Sequence, residues 1–123
     1  MRGQRLKRPG GDLASSIEIA VDRTAANAVV RLRGRIDVDS SPDVRDCLRT
    51  ILLNDPHPQA VTVDLAEVTS IEASGIATLV ESLRVARHRK IRFHLQAQGS
   101  VLQLFESAGL LALFDKNPDG KGA

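Results

Sequence analysis

Apolar and polar residues alternate with a period of two in Ile17/Ile19/Val21, in Val30/Leu32 continuing to Ile36, in Val61/Val63/Leu65 and in Ile91/Phe93/Leu95. Arg31 and Arg33, or Arg92, His94 and Gln96, occupy the positions between. Successive side chains of an extended strand point to opposite faces, so the pattern predicts half-buried strands. Clean alternation also predicts a sheet covered on one face, because strands buried on both faces read as continuous apolar runs.

Three other stretches have helical period. The first follows Ser40-Ser41-Pro42, a hydroxyl cap with proline in the first turn, and carries Val44, Cys47, Leu48, Ile51 and Leu52 on one stripe as far as Asn54. The second starts around Ser74-Gly75 with Ile76, Leu79, Val80, Leu83 and Ala86 inward. It closes on Arg87, His88, Arg89 and Lys90, a cationic end that complements the helix dipole. The third begins at Ser100 with Val101, Leu104, Phe105 and Ala108 inward, and Gly109 stands just past its end. Leu110 to Phe114 then packs back.

The order is strand, strand, helix, strand, helix, strand, helix, with a hairpin at Ala25-Ala26-Asn27. Helical crossovers favour parallel neighbours and right-handed connections. The expectation is an α/β fold: a two-layer sandwich with a mixed four- to five-stranded sheet and helices packed on one face.

Length and composition set the boundaries. With 123 residues, 42% hydrophobic and 26% charged, the chain fits one globular domain. Residues 1–16 are basic and then Pro, Gly and Ser rich, and read as a flexible tail. Residues 116–123 read as a second flexible tail, which leaves 17–115 for the domain. No window approaches the roughly 20 apolar residues of a membrane-spanning helix, so no direct membrane insertion is expected. Of 17 Lys and Arg, four (Arg2, Arg5, Lys7, Arg8) fall in the first ten residues, and the remainder carries more acids than bases. The basic balance therefore belongs to the tail. With no Trp, no Tyr and only Phe93, Phe105 and Phe114, the stacking platforms of single-stranded nucleic-acid binders are missing as well, and no nucleic-acid partner is expected.

Cys47 stands alone, so neither an intrachain disulfide nor a cysteine-rich zinc site is expected. Its place on the apolar stripe favours packing over redox sensing. No apolar stretch backs the N-terminal bases as a secretory signal requires, and the expected location is cytoplasmic. Phosphate-cradling and zinc-protease motifs are absent, and Glu72 occupies the first glycine position of what would otherwise be a G-x-S-x-G elbow. His57, His88 and His94 form no cluster in sequence and read as solvated. No catalytic residue, metal or cofactor is predicted, and the chain is not expected to be an enzyme. Asp64 at a strand end reads as a loop-anchoring acceptor. Asp37 is open between contacting a partner and holding the turn into the first helix.

One stretch carries chemistry. Val63-Asp64-Leu65 ends a strand, Ala66 to Ser70 reads as a polar loop, and Ile71-Glu72-Ala73-Ser74-Gly75-Ile76 opens a helix. Small residues leave the first N–H groups of such a helix open, which favours nearby negative charge, including a phosphorylated hydroxyl. The plainer reading makes Ser74 an N-cap and Gly75 a tight-turn residue.

Taken together, Leu32-Arg33-Gly34-Arg35-Ile36-Asp37, Val63-Asp64-Leu65, Ile71-Glu72-Ala73-Ser74-Gly75-Ile76 and Ser107-Ala108-Gly109-Leu110 with Leu113-Phe114 resemble the STAS domain of anti-sigma factor antagonists. The resemblance covers residues 17 to 115. It implies a regulatory module whose partner is an anti-sigma factor of the ATPase fold that is also a serine kinase, with a serine phosphatase resetting the switch. The family motif runs Asp-Ser-Ser/Thr-Gly, and its first hydroxyl is the phosphoacceptor. Here Glu72 stands for the Asp and Ala73 for the acceptor, which leaves Ser74 and Gly75 as the matching end of the motif. Ser74 is open between an off-position acceptor, an N-cap and neither.

The resemblance thus implies an antagonist that binds its anti-sigma factor and ignores the usual phosphorylation switch. Its expected face combines Asp37, Ser40 and Ser41 with Glu72, Ser74 and Ile76. Two other classes remain: a STAS subunit of a lipid-transporting ABC system or stress-sensing scaffold, and a sensor of a small ligand or nucleotide. The oligomeric state is not readable.

Overall fold

The computed structural model describes residues 4–6 and 17–114. One sheet holds β1 (Gln4–Leu6), β2 (Ile17–Arg23), β3 (Asn27–Ile36), β4 (Ala60–Ile71) and β5 (Arg92–Gln96), side by side in chain order. The first three strands are antiparallel neighbours, whereas β3 with β4 and β4 with β5 are parallel. Parallel neighbours need crossovers, and α1 (Ser41–Leu53) and α2 (Ala73–His88) supply them. After β5 come α3 (Gly99–Ser107) and a 3-10 turn, Leu111–Leu113. The two-layer mixed α/β sandwich matches the expectation.

Register explains the core. Ile19 pairs with Leu32, Val30 with Val63, and Val61 with Phe93, so one face of the sheet is a continuous apolar surface. Val44, Leu48 and Leu52 of α1 and Leu79, Leu83 and Ala86 of α2 belong to the same buried cluster. Burial of each large aliphatic or aromatic side chain stabilises the fold by about 1.5–3 kcal/mol. Phe114 packs back on Phe93, ring centres 6.0 Å apart, and meets Phe105 edge-on at 6.3 Å. Gly109 follows α3 with a φ of 71°, a left-handed position that a side chain would strain. Cys47 is buried in the core, and burial pushes its thiol pKa up to about 11, which fits packing rather than redox chemistry.

The far face of the sheet carries the alternate polar positions. Arg31 pairs with Asp22 and reaches Asp64 at 4.0 Å, and Arg33 lies 3.6 Å from Glu67 and 3.9 Å from Glu18. Exposed pairs of this kind contribute little stability each.

Several expectations are corrected. Residues 66–70 are not a loop: β4 continues to Ile71. Its register against β3 shifts twice, since Arg31 and Arg33 pair with Asp64 and Glu67, and Gly34 and Arg35 with Val68 and Ser70. Each shift places an extra residue in β4, so the inward positions Leu65, Val68 and Ile71 fall every third residue and the period-two signal is lost. Gln4–Leu6, expected in a tail, pairs with Ile19 to Val21 as an edge strand. The rest of that expected tail and the expected tail at 116–123 lie outside the described residues. In α3 only Val101 and Phe105, four residues apart on one side of the helix, are buried; Leu104 and Ala108, expected inward, are exposed. His94 is buried rather than solvated, next to its register partner Thr62 on the far side of β4 and β5. Alternation reports which face a residue takes, not whether water reaches it. His57 is half-buried and His88 exposed.

Candidate functional site

Ile36 and Ile71 end their strands as register partners, so the segments that follow begin side by side. The Glu72 N–H donates to the Ile36 carbonyl at 2.9 Å and fixes the start of α2 against the end of β3. Gly75 is buried in the first turn, and a Cβ there would collide with Ile36 and Ile71. The absence of a side chain at this position lets the helix start lie on the strand ends.

The turn between β3 and α1 is held by its own polar groups. Asp37 Oδ1 accepts the N–H groups of Asp39 and Ser40, both at 3.0 Å. The Ser40 hydroxyl donates to the Arg35 carbonyl at 2.8 Å and accepts the Asp37 N–H at 2.9 Å. The Asp37 carboxylate thus holds the turn into α1. The Ser40 N–H holds the Asp37 carboxyl below its ordinary pKa of 3.8, against the opposing effect of burial, with the Ser40 hydroxyl, the Asp39 N–H and the Arg35 charge adding to the depression. Ser40 occupies the N-cap position of α1 without a side-chain capping bond, so its predicted cap role is corrected: the hydroxyl closes the turn instead.

Ser41 links this turn to the second helix. Its hydroxyl bonds the Asp37 carbonyl, and its Oγ lies 3.0 Å from Ser74 Oγ. Ser74 is half-buried in the first turn of α2, and Glu72 holds the N-cap position with no side-chain capping bond. The N-cap reading of Ser74 is thereby corrected; its hydroxyl joins the starts of α1 and α2.

The structure brings Asp37, Ser40, Ser41, Glu72, Ser74 and Ile76 into one region but divides them by exposure. Ser40 and Ser41 are buried, Asp37, Ser74 and Ile76 half-buried, and Glu72 and Ala73 exposed. Val38 is 67% exposed in the Asp37–Ser40 turn, an apolar side chain with no core role beside an acidic rim of Asp39, Asp43 and Glu72. Its only signal in the sequence is a valine between two aspartates. Among the described residues no group of three or more His, Cys, Asp or Glu could hold a metal ion. A separate open cleft of about 820 Å³ lies at the carboxyl end of β5 beside the middle of β4, lined by Asp64, Gln96, Gln98, Leu95, Leu102 and Phe114 among others. Among the described residues no helix is long and apolar enough to cross a membrane.

Comparison with known proteins agrees with this architecture. The family model described as "Mlab, STAS domain" matches residues 19–114. No curated protein matches the sequence. An anti-sigma factor antagonist from Mycobacterium paratuberculosis superposes with a TM-score of 0.70 at 22% identity, over 84% of this chain and 86% of that one. The anti-sigma factor antagonist SpoIIAA in its unphosphorylated form gives 0.68 at 17% identity, over 80% and 87%. A sulfate transporter family protein from Wolinella succinogenes gives 0.59 at 16% identity, over 71% and 70%.

Proposed function

The chain belongs to the STAS family, and from that premise we propose that it is an anti-sigma factor antagonist whose partner is an anti-sigma factor of the ATPase fold with serine kinase activity. It acts by binding, not by catalysis. The docking face is the accessible part of the region above: the exposed Val38 and Asp39 from the turn, the exposed Glu72 and Ala73 from the start of α2, and the half-buried Ser74 and Ile76.

One observation carries the reading that the usual switch is absent. The exposed first position of α2 is Ala73, which has no hydroxyl to accept phosphate, while the neighbouring Ser74 hydroxyl is half-buried against Ser41. Phosphorylation would add about −1.5 to −2 charges to an already acidic rim. With Ala73 in place the face keeps one charge state, and a serine phosphatase has no substrate at this position.

The test is a titration of the full chain with the anti-sigma factors of the ATPase fold from its source cells, with and without nucleotide. A complex that forms and that Val38→Asp weakens at least tenfold, with unchanged thermal stability, supports the reading. No complex under either condition contradicts it.

A second reading, a STAS subunit of a lipid-transporting ABC system or a stress-sensing scaffold, has one observation in its favour: the same fold occurs in a sulfate transporter family protein. Co-purification with an ATPase subunit of a transporter would select it. The sensor reading has only the cleft at the end of β5 behind it.

A further inference from the structure

The two ends of this domain differ in their charges. Because β3, β4 and β5 run in one direction, their carboxyl ends lie with the starts of α1 and α2, and their amino ends with the helix finishes. The first end carries the acidic rim already described, with Arg35 and Arg45 beside it. At the opposite end stand Arg23, Arg87, His88, Arg89, Lys90 and Arg92, with Asp55 among them. Their placement there is fixed by bonds between neighbouring loops. Arg23 donates to the Pro56 carbonyl at 3.2 Å, Arg89 to Asp55 at 3.0 Å, and the Arg92 N–H to the Gln59 carbonyl at 3.0 Å.

Helix-dipole complementarity accounts for Arg87 and His88 in the last turn of α2, but not for Lys90, Arg92 and Arg23, which lie beyond it. Lys90 and Arg92 are exposed and make no side-chain hydrogen bond or ion pair among the described residues. Two apolar side chains accompany them. Leu53, the last residue of α1, is 41% exposed two positions before Asp55, and Leu113, whose carbonyl accepts a bond from Arg87, is 39% exposed.

We propose that this end of the domain docks on an anionic membrane surface, with Lys90, Arg92, Arg87 and Arg23 against the headgroups and Leu53 and Leu113 at the interface. Clustered cations beside exposed aliphatics suit a charged lipid surface. Nucleic acid would leave the leucines unused, and Phe93, Phe105 and Phe114 are all buried, so no aromatic platform is available to stack bases. The docked domain would hold its acidic end away from the bilayer. Both surfaces could then be occupied together.

The experiment is co-sedimentation of the full chain with vesicles of phosphatidylcholine alone and of equal parts phosphatidylcholine and phosphatidylglycerol, at low and high salt. Binding is expected to the anionic vesicles only and to weaken with salt. Each cation near such a surface is worth about fivefold in binding, so Lys90→Glu with Arg92→Glu should lose at least tenfold while leaving the melting temperature unchanged. The N-terminal bases are a second source of charge, and the variant Arg2→Gln, Lys7→Gln, Arg8→Gln should retain most of the binding. Equal binding by Lys90→Glu/Arg92→Glu and the parent chain overturns the proposal. Loss of all binding in the N-terminal variant also overturns it, as does retention of a DNA duplex by a chain that ignores both vesicles.

Discussion

Ser41 and Ser74 place their hydroxyl oxygens 3.0 Å apart, a side-chain bond that joins the starts of α1 and α2. Both serines lie in short polar sequences that look like separate helix starts. The bond makes one unit of them, and the face that a partner would meet is built on it.

Removing either hydroxyl should therefore cost stability and remove the same interaction. Ser74→Ala is expected to lower stability by about 0.5–1.5 kcal/mol, the net worth of an ordinary hydrogen bond. Urea denaturation of Ser41→Ala, Ser74→Ala and the double variant should give a coupling of similar size. Additive losses would mean that the two hydroxyls act independently.

Gly75→Ala adds one methyl group where Ile36 and Ile71 leave no room. The substitution usually favours a helix, so the direction discriminates. The expected outcome is a loss of about 1–3 kcal/mol from overpacking, read as a lower urea midpoint. A stabilised variant would show that the start of α2 does not rest on the strand ends as described.

Asp37 predicts a pH dependence. Folding depresses its carboxyl pKa below 3.8, so the folded state binds that proton more weakly than the unfolded chain. The associated stability is complete above the unfolded value and is lost as pH falls from there through the folded value. Asp37→Asn should be less stable than the parent near neutral pH, and the difference should shrink below pH 3.8. Urea midpoints measured across that range check it; a difference that stays constant with pH would place the effect in turn geometry rather than charge.

The sheet and its helices were legible in the sequence wherever a single period ran unbroken. α1 shows this: its stripe from Val44 to Leu52 is buried, as its spacing requires. The end of β4 was not legible, because the two register shifts move Leu65, Val68 and Ile71 to every third residue and imitate a loop. The β1 strand was hidden for a different reason. Gln4–Leu6 is short and basic-flanked, and an edge pairing leaves no alternation to read.

At the candidate site, the motif from Glu72 to Gly75 identified the right helix start, yet its chemistry depended on neighbours distant in sequence. Nothing local to Ser40 reveals that its hydroxyl serves the Arg35 carbonyl rather than the helix N–H groups. Nor does the local sequence distinguish Ser74 as a cap from Ser74 as the partner of Ser41, 33 residues away. Val38 was obscured by its context, since an apolar residue in a turn predicts neither core nor surface.

The most direct test of the central claim is phosphate transfer from labelled ATP by the cognate anti-sigma factor kinase, shown to be active on a normal antagonist, to this chain and to Ala73→Ser. No label is expected on the parent chain, with a stable complex nonetheless, and Ala73→Ser is expected to be labelled at the introduced hydroxyl. Label on Ser74 of the parent chain, or an unlabelled Ala73→Ser, would contradict it.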